Sequence, residues 1–125
     1  MNLEIKKLNR EFTVCKLNNL EQVDLNREFT FISITDDELS LVCETPYVPS
    51  ASLNAEHGWK ALKICGVLDF GLIGIIAKIS GVLAENDIPV FVISTYNTDY
   101  VLIKNENYSN ALELLFKIEG VTLTD

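Results

Sequence analysis

The sequence lacks most of the residues on which common catalytic and nucleic-acid-binding sites depend. Its 125 residues include one histidine, three cysteines and three prolines. The 10 basic residues are scattered and outnumbered by 18 acidic ones, which gives a net charge of −8. A chain without a basic patch gains no affinity from phosphates or from anionic lipids. We therefore expect neither nucleic acid nor a membrane as a partner.

Segments that would direct the chain into or across a membrane are also missing. The apolar run Leu72–Ala84 contains two glycines and a lysine and is shorter than a bilayer-spanning helix. Residues 1–12 lack the apolar centre of a signal peptide. The cysteines, Cys15, Cys43 and Cys65, lie far apart, and an odd number without a CxxC motif is typical of a reducing compartment. We expect a cytoplasmic protein whose cysteines are small core residues.

Motifs for nucleotides, metals and catalysis are absent as well. The glycine-rich segment 66–74 (GVLDFGLIG) is neither a dinucleotide fingerprint nor a phosphate-binding loop, which would need Lys and Ser or Thr after its last glycine. His57 is the only histidine, and no two Cys or His residues are close enough in sequence to begin a zinc site. We therefore expect no enzyme activity, no metal and no cofactor.

What the sequence does contain is strong apolar periodicity within a composition that is 48% hydrophobic. Apolar residues spaced i, i+3, i+4 predict two helices, one capped by Asp69 and ending at Asn86, the other beginning at Asn105 or Asn107 and ending at Gly120. Alternating or continuous apolar runs predict eight strands. These are residues 2–8 and 11–17, joined by a turn at Asn9–Arg10, followed by Phe29–Thr35, Leu39–Thr45, Trp59–Cys65, Ile88–Ile93, Asp99–Lys104 and Val121–Thr124.

The order of elements from Trp59 onward is β-α-β-β-α-β, the ferredoxin-like order, in which two helices cover a four-stranded antiparallel sheet. A shift of 61 residues places Ile32–Thr35 over Ile93–Tyr96 and thus predicts an internal repeat. Prolines in the predicted loop 46–58 separate the halves, and the first half is too short for both helices. The predicted fold class is α+β, with a degenerate first copy over residues 1–57 and a complete copy over residues 58–125.

The turn around Asp69 offers two kinds of binding group. Unpaired N–H groups at a helix N-terminus attract a small anion such as a carboxylate, and the Asp69 carboxylate attracts an ammonium group. A zwitterion therefore suits this turn. The residues leave open a simpler interpretation, in which Asp69 only caps the helix and the glycines only form turns.

Residues 66–76 (GVLDFGLIGII) and 84–103 (AENDIPVFVISTYNTDYVLI) closely resemble ACT domains. The most specific part is Ser94–Tyr100, and Ser33–Thr35 and Gly58–Trp59 resemble the small bacterial tandem-ACT proteins, which are related to the ACT domains of aspartokinases and cytosolic arginine sensors. The resemblance implies a βαββαβ fold used twice. It also implies a small ligand, usually an amino acid, held between ACT units, and side-by-side sheet pairing in a homodimer.

The resemblance also implies which residues bind the ligand. Asp69 or Asp99 would hold its ammonium group, and backbone N–H groups would hold its carboxylate. The implied ligand-binding residues are Leu68, Asp69, Phe70, Gly71, Leu72 and Ile73 from the first turn, Ser33, Ile34 and Thr35 from the opposing unit, and Thr95, Tyr96, Asn97, Thr98 and Asp99 from the second turn.

Two hypotheses of function follow. The first is a non-enzymatic amino-acid sensor whose ligand binding is coupled to association with itself or with a regulated protein partner. The alternative is a structural or interaction protein of the same fold that dimerises through sheet edges and has no physiological ligand.

Overall fold

The computed structural model of the protein describes residues 2–65 and 74–125. These residues form seven β-strands, two α-helices and one short 3₁₀ turn. In chain order the elements are β1 (Leu3–Lys16), β2 (Phe31–Ile34), β3 (Leu39–Glu44), the 3₁₀ turn (Thr45–Tyr47), β4 (Leu53–Cys65), α1 (Ile75–Glu85), β5 (Phe91–Ser94), β6 (Asp99–Lys104), α2 (Asn105–Phe116) and β7 (Val121–Thr124).

The chain divides into two compact units. Residues 10–59 form one unit, and residues 60–125 form the other together with the N-terminal residues up to Asn9. Strands β1 and β4 are hydrogen-bonded neighbours, and each contributes residues to both units. The described residues up to Asn9 thus group with the second half, whereas the predicted first copy spans residues 1–57.

The unit of residues 60–125 has the element order β4-α1-β5-β6-α2-β7, which confirms the ferredoxin-like prediction for the second half. β5 and β6 pair in antiparallel fashion, and β6 lies beside β4. The last strand, β7, pairs in parallel with the start of β1, from Leu3↔Val121 to Lys6↔Thr124. The sheet of this unit therefore contains one strand more than the four predicted, because β1 is part of it.

Both helices bury the faces that their periodicity predicts. Ile79 and Leu83 of α1 and Ala111 and Leu115 of α2 are fully buried in one core with apolar residues of β1, β4 and β6. Burying a side chain of the size of Ile79, Leu83 or Leu115 stabilises the unit by roughly 1.5–3 kcal/mol. The apolar spacing therefore identified the inward faces correctly.

The ends of α1 differ from the prediction. The helix begins at Ile75, and Gly74 precedes it with a φ of 83°. The predicted cap, Asp69, lies outside the described residues. The helix ends at Glu85, one residue before the predicted end at Asn86, which follows with a φ of −109°; Asp87 then takes a left-handed conformation with a φ of 60°. Asn86 donates a hydrogen bond from Nδ2 to the carbonyl of Val82 at 2.9 Å.

The unit of residues 10–59 contains β2, β3 and parts of β1 and β4 in the order β2-β3-β1-β4, and its residues, all of them described, form no α-helix. The predicted hairpin at Asn9–Arg10 is wrong, because β1 runs unbroken through both residues. β4 begins at Leu53 rather than at Trp59. Asn54 and Gly58 have positive φ angles within this strand. The sequence predicted a loop over residues 46–58 because of its prolines.

The hairpins β2–β3 and β5–β6 correspond with an offset of 60 residues instead of the predicted 61. Phe31 pairs with Val42 in the first copy, and Phe91 pairs with Leu102 in the second. A slip of one residue in a strand exchanges its two faces. The correct offset aligns Thr98 with Glu38 and places no acid opposite Asp99.

Candidate functional site

The turn between β5 and β6 is built by threonine side chains and one carboxylate. The backbone N–H of Thr95 donates to the carbonyl of Thr98 at 2.8 Å, and the Thr95 hydroxyl donates to the same oxygen at 3.0 Å. Ser94 and Asp99 form the last pair of the β5–β6 ladder, and the Ser94 hydroxyl donates to Oδ1 of Asp99. The turn is therefore a fixed structure with a half-buried carboxylate at its base.

Thr98 attaches this turn to the end of β4. Its hydroxyl donates to the backbone carbonyl of Ile64, the residue before the last one of β4. The predicted first ligand-binding turn follows β4 directly in the sequence. This hydrogen bond thus joins the turn at Ser94–Asp99 to β4, the strand that precedes the first predicted ligand-binding turn in the sequence. Tyr96, at the tip, is 99% exposed.

The equivalent turn in the other unit has the same threonine–carbonyl contact, with the Thr35 hydroxyl 3.2 Å from the carbonyl of Glu38, and adds a carboxylate partner. The N–H of Thr35 donates to the carbonyl of Glu38 at 2.9 Å, which matches the backbone bond of the second turn. Its hydroxyl donates to Oδ1 of Asp37 at 2.9 Å and accepts from the N–H of Glu38 at 3.2 Å. Ser33, Ile34 and Thr35 are all exposed, and Ile34 exposes 71% of its surface.

The predicted binding residues therefore fall into three groups. Thr95, Tyr96, Asn97, Thr98 and Asp99 lie together in one turn. Ser33, Ile34 and Thr35 lie at or beside the matching turn of the other unit. Leu68, Asp69, Phe70, Gly71, Leu72 and Ile73 lie outside the described residues, so their role in binding remains a prediction.

Sequence reasoning missed a polar cluster around the only histidine. Nδ1 of His57 lies 2.8 Å from the hydroxyl of Thr13, and the Thr45 hydroxyl lies 2.9 Å from the same oxygen. Thr13 is fully buried in β1. The three residues are distant in sequence, and a lone Thr in a strand pattern signals nothing before the strands are paired.

The three cysteines lie in three different strands, as predicted, and all are free thiols. Cys15 and Cys43 are buried, and burial raises the pKa of both thiols, that of Cys43 to about 11. Such thiols are poor nucleophiles because the reactive form is the thiolate. Within the described ranges, no group of three or more His, Cys, Asp or Glu side chains could hold a metal ion. A search of the same ranges finds no helix with the length and apolarity needed to span a bilayer.

Comparison with known proteins identifies a family for this chain. The sequence model of the ACT domain matches residues 54–117, just over half of the chain. The chain belongs to the ACT domain family. ACT domains are regulatory modules that bind amino acids. The match begins in β4 and ends just after α2, so it includes the turn from Ser94 to Asp99.

Individual relatives agree with this assignment. The ACT chain is 38% identical over 58 residues to the human cytosolic arginine sensor for mTORC1 subunit 1, and this segment covers 46% of the chain and 18% of the sensor. The bovine sensor matches to the same degree. The chain thus spans less than a fifth of the length of the curated relatives it matches.

Solved structures support the fold over nearly the whole chain. A crystal structure of a protein from Agobacterium tumefaciens has a TM-score of 0.85 and 28% identity, and the match covers 98% of this chain and 92% of that one. The aspartate kinase of Clostridium acetobutylicum has a TM-score of 0.62 at 15% identity, with 90% of this chain and 33% of the kinase covered. The similarity to the kinase concerns the fold alone.

Proposed function

We propose that this ACT protein is a non-enzymatic regulatory module that binds a free amino acid between the turn at Ser94–Asp99 and the segment that follows β4. The observation that carries the proposal is the hydrogen bond from Thr98 to the carbonyl of Ile64. It fixes a turn with a carboxylate beside the end of a strand, and the carboxylate of Asp99 supplies a partner for an ammonium group. The strand's continuation would supply the backbone N–H groups for the ligand's carboxylate.

The proposal includes the opposing unit of a homodimer. Ser33, Ile34 and Thr35 would face the ligand from another ACT unit, so binding would stabilise one arrangement of the units. The size of this effect is limited to the difference in ligand affinity between the arrangements. Such a module would act in the cytoplasm on a partner protein that senses the arrangement.

A thermal-shift screen with each of the twenty amino acids at millimolar concentration tests the proposal. A ligand at about 100 times its Kd would stabilise the folded protein by roughly 2.7 kcal/mol. We expect one or a few amino acids to raise the midpoint, and Thr98→Val and Asp99→Asn to abolish that response. Thr122→Val and Glu113→Gln, at exposed positions of β7 and α2, are matched controls that should retain it. A flat response to all twenty would count against an amino-acid ligand.

A second candidate function, association without a ligand, is favoured by one edge of the sheet. β5 pairs with β6 alone among the described strands, and Phe91 and Val92 each expose 37% of their surface there. Unpaired edge strands with apolar side chains favour association with another strand. This function predicts a dimer in sedimentation experiments that Val92→Lys dissociates and that Asp99→Ala leaves intact in the presence of every amino acid.

A further inference from the structure

The unit of residues 10–59 contains a pocket that uses none of the predicted ligand-binding residues. Its lining includes the buried Leu41 and Cys43 of β3, the stacked pair Arg27 and Tyr47, and the exposed Asp24 and Glu28. The pocket contains about 260 Å³ of empty space, which includes its opening to solvent. Its enclosed part has room for about one atom the size of a water oxygen, such as one oxygen of a carboxylate.

The arginine in this lining has an unusual environment. The guanidinium carbon of Arg27 lies 3.4 Å from the centre of the Tyr47 ring, so the cation packs directly against the aromatic face. Its Nε–H is buried, and no acceptor lies within reach among the described residues. The chain's other arginine, Arg10, donates to Glu44 at 2.7 Å and to Glu28 at 3.1 Å.

An unpaired buried donor is costly, and for a charged group the cost is larger than for a neutral one. A guanidinium that packs flat on a ring keeps its in-plane N–H groups available. These N–H groups match the two oxygens of a carboxylate. Arg27, which lines the pocket, thus has one buried N–H without an acceptor among the described residues and a planar guanidinium whose geometry suits a carboxylate.

The surrounding charges restrict the ligand further. Arg10 and Arg27 bring two positive charges, whereas Asp24, Glu28 and Glu44 bring three negative ones, so the net charge at the pocket is −1. A multiply charged phosphate would be repelled by this arrangement. A ligand with an ammonium group beside its carboxylate would place that group near Asp24 and Glu28.

We propose that Arg27 and Tyr47 form a second binding site, which takes the carboxylate of a small amino-carboxylate into the pocket and leaves its ammonium group beside Asp24 and Glu28. The site is independent of the function proposed above, because it shares no residue with the turn at Ser94–Asp99. Its ligand is small, since only one end of the molecule enters the enclosed part.

Nitrogen-15 NMR of the arginine Nε–H groups in the full chain tests the site directly, because the sequence contains only two arginines. Titration with glycine should shift the Arg27 signal to a plateau and leave the ion-paired Arg10 signal in place. Acetate, which has no ammonium group, should bind more weakly, and methylammonium should not shift the signal. Arg27→Lys should remove the responding signal, while Tyr47→Phe, which keeps the ring, should retain the response.

Two results would overturn the site. An Arg27 signal that does not change at tens of millimolar glycine would mean that the pocket holds only water. Shifts of equal size at Arg10 and Arg27 would mean non-specific salt effects. If Arg27→Lys fails to fold, Arg10→Lys assigns the two signals equally well. The titration is repeated in Asp99→Asn, where an unchanged Arg27 response keeps this site separate from the one at the second turn.

Discussion

Replacement of Thr13 by Val should destabilise the unit of residues 10–59 through the loss of one hydroxyl. Thr13 has 0% of its surface exposed, and its hydroxyl lies 2.9 Å from that of Thr45 and 2.8 Å from Nδ1 of His57. Val has nearly the same shape, so no cavity forms. A hydrogen bond of this kind contributes about 0.5–1.5 kcal/mol, and two contribute roughly 1–3 kcal/mol.

The lower part of that range applies, because the two partners can bind water when Thr13 is replaced. Thr45 is half-buried and His57 is exposed, so neither becomes a stranded buried group. The additional methyl group of Val offsets up to about 0.8 kcal/mol. We expect a net loss of about 0.2–2 kcal/mol in the free energy of unfolding.

Urea denaturation monitored by the fluorescence of Trp59 measures this loss, because Trp59 is the only tryptophan and lies in the same unit as Thr13. The decisive comparison is the cost of Thr45→Val in three backgrounds. The decrease in the free energy of unfolding caused by Thr45→Val should be the same in wild type and in Thr13→Ser, which keeps the hydroxyl. In Thr13→Val this decrease should be close to zero. Equal costs in all three backgrounds, to within about 0.5 kcal/mol, would refute the hydrogen-bonded cluster.

Two further predictions concern pH and backbone strain. Burial raises the pKa of the Cys43 thiol from 9.0 to about 11, so the unfolded chain loses this proton at a lower pH than the folded chain does. The thiol therefore does not lower the free energy of unfolding below pH 9. As the pH rises from 9 toward 11, the free energy of unfolding should fall by up to roughly 2 kcal/mol. In Cys43→Ala, the free energy of unfolding measured by urea titration should fall less between pH 9 and pH 11 than it does in the wild type. An equal decrease in both proteins would contradict the role of the Cys43 thiol. Asp87→Gly should stabilise by about 0.5–1 kcal/mol, because its φ of 60° favours glycine, whereas Asn86→Gly should destabilise in the same thermal-unfolding measurement.

The second half of the fold could be predicted because its local signals and its tertiary packing agree. The spacing of Ala111 and Leu115 alone identified the buried face of α2. The alternation of polar breaks and apolar runs located β5 and β6 to within a few residues. In such segments burial depends on one period, which the sequence displays directly.

The first half was harder because its elements depend on distant partners. β1 crosses Asn9–Arg10 as a single strand, since a strand paired on its neighbours overrides a weak turn signal. The offset of the repeat was wrong by one residue, because Ser33 and Ser94 resemble each other in sequence and yet occupy different positions in their ladders.

The candidate sites divide in the same way. The turn from Ser94 to Asp99 was predicted because polar residues contiguous in sequence interrupt an apolar run. The pocket at Arg27 and Tyr47 and the cluster at Thr13 were not, because each assembles residues that are far apart in the chain. These residues come together only when the strands pair, and a local sequence pattern does not indicate which strands pair.

The parallel pairing of β7 with β1 has a consequence for dissecting this protein. A fragment that starts at residue 58 would contain all six elements of the βαββαβ order but would leave β7 without its hydrogen-bonded neighbour. The residues matched by the family model therefore differ from those of the compact unit. Because that unit includes residues from both ends of the chain, dividing the chain at one position does not yield two complete units. Replacing residues 10–59 with a linker would preserve that pairing, whereas truncation from the N-terminus would expose a new strand edge prone to aggregation.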